Sequence, residues 1–86
     1  MSRSTFKFLT RTSCPLCDEA RPIVSTLITR IGGAVEEVDV DTNEGYLGEF
    51  GLRIPVVLTP EGSVVAEGRI EKGALKRGLR SYLKSQ

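Results

Sequence analysis

The sequence predicts one α/β domain with the element order β-α-β-α-β-β-α. Three observations carry this reading. Two short runs rich in β-branched or aromatic residues flank a helical apolar stripe, a proline-glycine turn joins two further apolar runs, and the chain closes on an amphipathic stripe with basic outer positions. With 86 residues there is room for one small core, since single domains usually run from about 50 to 200 residues. Residues 1–86 are therefore expected to form a single domain, without a large cavity for a bulky cofactor.

Thr5 to Thr10 (T-F-K-F-L-T) reads as the first strand. Ile23, Val24, Leu27, Ile28 and Ile31 then recur at steps of three and four, which places them on one side of a helix that Gly32 and Gly33 end. Val35, Val38 and Val40 mark a second strand reached by a crossover. Asp41, Thr42 and Asn43 are turn and cap residues, and Tyr46, Leu47 and Phe50 fit a short helix before Gly51. Val56 to Leu58 and Val64 to Ala66 form a hairpin around T-P-E-G, where Pro60 and Gly62 suit a tight turn. In the last helix Leu75, Leu79, Tyr82 and Leu83 face inward, while Lys72, Lys76, Arg77, Arg80 and Lys84 face away.

Composition excludes several function classes. Twelve lysines and arginines stand against eleven aspartates and glutamates, a net charge of +1, which is no footprint for wrapping nucleic acid. The chain has no histidine, so serine triads and histidine-ligated zinc sites are ruled out. Its two cysteines, Cys14 and Cys17, cannot supply the four thiolates of an ordinary structural zinc site. The longest apolar stretch, Ile54 to Leu58, is far short of the roughly 20 residues that cross a bilayer. A cytoplasmic monomer with no nucleic-acid or membrane partner is expected.

The chemistry concentrates in Cys14-Pro15-Leu16-Cys17, at the junction of the first strand and first helix. Pro15 suits the first helical position, having no amide hydrogen to waste there. Cys14 then falls at the cap, where free amide hydrogens and the helix dipole favour a thiolate, lowering a cysteine pKa from ~8.5 into the range of ~3.5 to 7.5. Cys17, one turn inside, is expected to be more buried. For an illustrative pKa of ~6 the thiolate fraction at pH 7 rises roughly 30-fold, but a Brønsted slope of about 0.5 removes roughly 18-fold of nucleophilicity. The net gain in attack is about twofold, and the larger benefit is as a leaving group. Such a pair suits repeated disulfide exchange, in which Cys14 attacks and Cys17 resolves. The alternatives are a structural disulfide or two neighbouring buried thiols. So short a loop has little stabilising value as a disulfide, and a cytosolic chain would keep it reduced.

Three blocks resemble the thioredoxin superfamily on its glutaredoxin-like side. C-P-L-C at 14 to 17 is similar to the glutaredoxin C-P-x-C, with Arg11 three residues before it where a lysine is common. F-G-L-R-I-P-V-V at 50 to 57 resembles the segment leading to a cis-proline, which implies that Pro55 is cis and faces the cysteines. G-R-I-E-K-G-A-L-K at 68 to 76 is similar to the stretch opening the last helix, and Pro22 matches a kink proline. The resemblance implies a thioredoxin-like fold, a mixed four-stranded sheet flanked by helices. It implies catalysis by Cys14 and Cys17 without a metal, and substrate binding by Arg11, Pro15, Leu16, Arg53, Ile54, Pro55 and Gly68. Ile54 would offer its backbone to an outside chain, and the two arginines would raise thiolate character or hold a glutathione carboxylate by a forked contact.

The sequence also departs from these relatives. Leu16 replaces a usual tyrosine, Ser13 a tryptophan, and Phe8 the buried aspartate of thioredoxins. Gly68 is followed by Arg69, so paired glycines that help hold glutathione are absent, and Asp18 and Glu19 oppose the thiolate. The expected activity is a thiol-disulfide oxidoreductase acting on protein disulfides or glutathione mixed disulfides. No bound cofactor is expected, and glutathione or a thioredoxin reductase system is the expected reductant. Two alternatives stand beside it. One is a soft-metal carrier for Cu(I), which two thiolates suit. The other is a glutathione-ligated two-iron cluster protein using Cys14 from two chains.

Overall fold

The computed structural model describes residues 4–86. Its elements are β1 (Thr5–Thr10), α1 (Pro15–Arg30), β2 (Ala34–Asp39), a short 3-10 turn (Val40–Thr42), α2 (Glu44–Phe50), β3 (Val56–Leu58), β4 (Val64–Glu67) and α3 (Lys72–Lys84). The strands form one sheet in the order β2-β1-β3-β4. β1 and β2 are parallel, as a helical crossover requires. β1 pairs antiparallel with β3, and β3 antiparallel with β4.

Strand alternation divides the core into two layers. Phe6, Phe8 and Val57 point to one face, where they meet Ala20, Val24, Leu27 and Ile28 of α1 and Leu75 and Leu79 of α3. Leu9, Val56 and Leu58 point to the other, where they meet Val40 and Phe50. α1 and α3 therefore cover one side of the sheet and α2 the other. Tyr46 lies tilted against Phe50, and Tyr82 lies edge-on to Phe6, so these aromatics serve packing. Phe6 and Phe8 are each buried to 1% exposure, and burying one such ring is worth about 1.5–3 kcal/mol.

α1 ends where its glycines stand. The Gly33 N–H bonds to the Ile28 carbonyl and the Gly32 N–H to the Thr29 carbonyl, both at 3.0 Å, with Gly32 at φ +80°. This is a left-handed helix stop that a side chain would strain. Val40 corrects the sequence reading, since it lies past the end of β2 and opens the 3-10 turn. Asp39 causes this: its carboxylate accepts the Asp41 N–H at 2.9 Å, and its carbonyl accepts the Thr42 hydroxyl at 2.7 Å, so local bonds replace the ladder. Val40 is nonetheless fully buried. β4 runs one residue past Ala66, to Glu67. Among the described residues no helix is long and apolar enough to cross a membrane.

Candidate functional site

The register of β1, β3 and β4 brings distant loops to one end of the sheet. Leu9 pairs with Val56, and Val56 with Glu67. The chain leaving β1, the chain entering β3 and the chain leaving β4 therefore emerge side by side. These carry residues 11–17, 51–55 and 68–71, which include every candidate site residue.

At the first loop Ser13 adopts φ 59°, a left-handed conformation that costs a non-glycine residue roughly 1–2 kcal/mol. It turns the chain so that Cys14, in extended conformation, caps α1, with Pro15 in the first turn. The Cys14 sulfur accepts the Cys17 N–H at 3.1 Å, and the Cys14 carbonyl accepts the Asp18 N–H at 3.0 Å. Cys14 and Cys17 are joined as a disulfide, with Cα atoms 5.2 Å apart. The two are not equivalent. Cys17 has no exposed surface, whereas Cys14 is half-buried and Pro15 beside it is exposed. Pro22 lies inside α1, where it leaves the Asp18 carbonyl without its helical donor.

The second and third loops are tied to each other by backbone. The Gly68 N–H reaches the Pro55 carbonyl at 2.9 Å and the Arg53 carbonyl at 3.2 Å, and Gly68 does so at φ +70°, a conformation that favours glycine. The Ile54–Pro55 bond is cis. Pro55 is buried, while Ile54 is half-buried and its own N–H and C=O make no backbone hydrogen bond among the described residues. Leu16 is half-buried and lines a groove with Glu19, Arg69 and Ile70.

Both candidate arginines have carboxylate partners. Arg11 forks onto Asp41 at 2.9 and 3.1 Å and also donates to the Gly51 carbonyl at 3.3 Å. Its hydrogen bonds hold the Asp41 carboxyl below the usual range. Arg53 places two nitrogens on one oxygen of Glu67, at 2.6 and 2.9 Å, and lies over the Phe50 ring at 4.8 Å. The charge of each is thus largely answered within the chain. Arg11 also acts as a strap between the cysteine loop and the 51–55 loop.

Sequence reading missed a further network beside the site. Arg21 forks onto Glu37 at 2.8 and 2.9 Å and reaches Asp18 at 2.9 Å, while Glu37 accepts the buried Thr10 hydroxyl at 2.9 Å. These bonds, Arg21 first, hold the Glu37 carboxyl below its ordinary range against the opposing effect of burial. Arg21 and Asp18 stand three apart on one helix face, a local signal that was available, whereas Glu37 is 16 residues away. Leu52, in the loop before Pro55, is fully exposed at 101%. Among the described residues no group of three or more cysteine or acidic side chains is placed to hold a metal.

A protein-family model described as Glutaredoxin-like domain (DUF836) matches residues 5–82. The chain belongs to this family. No curated protein sequence matches it. Among solved structures, this glutaredoxin-like chain is similar to a structural-genomics target protein from X. campestris, with 25% identity, TM-score 0.68, and coverage of 94% of this chain and 97% of that one. It is also similar to a point-mutant thioredoxin from Halobacterium salinarum NRC-1, with 28% identity, TM-score 0.71, and coverage of 94% and 75%. A protein from Nitrosomonas europaea, with 18% identity, TM-score 0.72 and coverage of 90% and 92%, shares the fold. The glutaredoxin-like domain thus has a thioredoxin-like α/β fold. Its C-x-x-C pair in that fold indicates a redox function.

Proposed function

We propose that this glutaredoxin-like protein is a thiol-disulfide oxidoreductase that reduces protein disulfides through Cys14 and Cys17. The asymmetry of the pair carries the reading, with Cys14 at the open start of α1 and Cys17 fully buried one turn inside. The reduced Cys14 thiolate attacks one sulfur of a substrate disulfide. That bond breaks, and the departing sulfur leaves as a thiolate that takes a proton. Cys17, losing its proton, then attacks Cys14 in the mixed disulfide. The second substrate thiol is released, and the protein is left with the Cys14–Cys17 bond. Two electrons have passed to the substrate, and a thiol reductant of the glutathione or thioredoxin reductase type restores the dithiol.

A protein substrate is favoured over glutathione mixed disulfides by the surroundings of the pair. Arg11 and Arg53, the expected partners of a glutathione carboxylate, already hold Asp41 and Glu67. Ile54 leaves its backbone groups open beside buried Pro55, which suits an extended peptide. In the test, Cys17→Ser and Cys14→Ser are each mixed with a disulfide-bonded model protein and followed by intact mass. Cys17→Ser should accumulate a covalent adduct at Cys14, while Cys14→Ser should react slowly. Equal adduct formation by the two variants overturns the assignment.

A further inference from the structure

An open cleft follows α1 and α3 from their starts to their ends. Its first stretch, of about 480 Å³, lies between Leu16 and Ile23 on one side and residues 69–72 on the other. A second, of about 240 Å³, shares Ile23 and Lys72 with the first and continues to Leu27. The third, of about 290 Å³, shares Leu27 and ends at Leu83. The helices therefore run in the same direction, and the cleft leads from the C-x-x-C segment to their far ends. Its floor is aliphatic: Ile23, Leu27, Ile31, Leu79 and the 46%-exposed Leu83.

From Lys72 onward the walls are basic, whereas Glu19 and Glu71 line the stretch nearest the cysteines. Lys72, Lys76 and Arg80 recur every four residues on α3, and Arg30 stands across from them on α1. No acidic residue interrupts α3 between Lys72 and Lys84. None of these four cations forms an ion pair among the described residues, although the chain carries nearly equal numbers of both signs. At the cysteine end the character changes, since Arg69 there pairs with Glu19 at 3.8 Å.

We infer that this cleft docks an acidic amphipathic helix of a partner protein. Four residues of helix rise about 6 Å, so carboxylates repeating every fourth residue on an opposing helix match the spacing of Lys72, Lys76 and Arg80. Apolar side chains on the same helix, at three- and four-residue steps, fill the aliphatic floor. A membrane surface fits poorly, because the apolar groups are recessed between the helices and only Leu83 stands out. A second copy of this chain fits poorly too. Its acidic helix, α2, has seven residues and spans about 10 Å, against about 24 Å for the sixteen residues of α1. Docking needs no cysteine. Its consequence, that the partner is held over the disulfide, rests on the proposed oxidoreductase reading.

The probe is a fluorescent helical peptide of fourteen residues, with leucines at three- and four-residue steps and glutamates four apart along one edge. A matched peptide carries lysine for glutamate. Anisotropy should show binding of the acidic peptide and none of the basic one. Amide shift changes in the unsubstituted protein should be confined to the cleft. Lys76→Glu with Arg80→Glu, both exposed, should weaken binding severalfold or more, since each exposed pair contributes a factor of about 1.4 to 5 and reversal adds repulsion. The Cys14→Ser/Cys17→Ser variant should bind as tightly as the parent. The inference is overturned by absent peptide binding, by binding indifferent to the charge reversal, by equal capture on phosphatidylserine vesicles, or by self-association that the reversal abolishes. Loss of disulfide exchange with docking intact would strike the oxidoreductase reading alone.

Discussion

Replacing glycine by alanine at two places in α3 should change stability in opposite directions. At Gly78 an added Cβ would sit 2.6 Å from the Val65 carbonyl oxygen and 2.7 Å from its Cγ1. Carbon atoms rest at about 3.5–4.0 Å from their neighbours, so α3 or β4 must retreat by nearly 1 Å. Overpacking of this kind costs about 1–3 kcal/mol, and the better helix propensity of alanine offsets about 0.8–1 kcal/mol of it. The net loss is about 1 kcal/mol. At Gly73 the nearest atom is the flexible end of Arg77, 3.5 Å away, so the propensity gain stands almost alone. It amounts to about 0.5–1 kcal/mol, reduced because Gly73 lies in the first turn. The variants should differ by about 1.5–2 kcal/mol. At about 4–8 °C per kcal/mol for a domain of this size, Tm should differ by roughly 6–16 °C. Urea and thermal melts followed by circular dichroism measure both. If Gly78→Ala proves as stable as Gly73→Ala, the close approach of α3 to β4 is refuted.

Asn43 caps α2 by accepting the Tyr46 N–H at 3.0 Å. Asn43→Ala should cost about 1 kcal/mol in urea unfolding, and Asn43→Asp should restore most of it. Leu75 has no exposed surface between the sheet and α1, so Leu75→Ala should lower stability by about 2–5 kcal/mol through the cavity it leaves. The Glu37 carboxyl, held below its ordinary range chiefly by Arg21, stabilises the fold above its unfolded pKa of about 4.3. That contribution is lost as pH falls through the lower folded value. Because the side chains of the pair are 43% and 39% exposed, solvent screening keeps it below about 1 kcal/mol. Glu37→Gln should flatten the acid limb of stability measured from about pH 6 to 2.

Local rules made the backbone legible. Pro15 after Cys14 marks a helix start, paired glycines after Ile31 mark its end, and Pro60 and Gly62 mark a hairpin, all within a few residues of their partners. The apolar periodicity also located the inward stripes of α1 and α3, though not the division of the core into two layers. Val40 misled because it continues the alternation of Val38, while the Asp39 side chain and Thr42 hydroxyl that turn the chain act only in three dimensions. The same limit explains the site. Arg11 and Arg53 look like free cations in the sequence, yet their carboxylates lie 30 and 14 residues away, brought near by strand register. The cleft along α1 and α3 was half visible. The four-residue repeat of Lys72, Lys76 and Arg80 is plain, but the apolar floor beside it exists only once the helices lie parallel.

The inner strands β1 and β3 belong to both hydrophobic layers at once, since Phe8 and Val57 face one while Leu9 and Val56 face the other. No seam exists along which half the molecule can open. Freeing Val57 from α1 and α3 also withdraws Val56 and Leu58 from Phe50, so the two layers melt as one cooperative unit. Amide protons of Phe8, Leu9 and Val57 should then exchange with solvent only through global unfolding. Those of Thr12 and Ile54, in the loops at the cysteine end, exchange through small local openings. On the proposed oxidoreductase reading, a substrate disulfide would therefore meet loops that open locally, carried on strands that open only globally and that hold Cys14 in place.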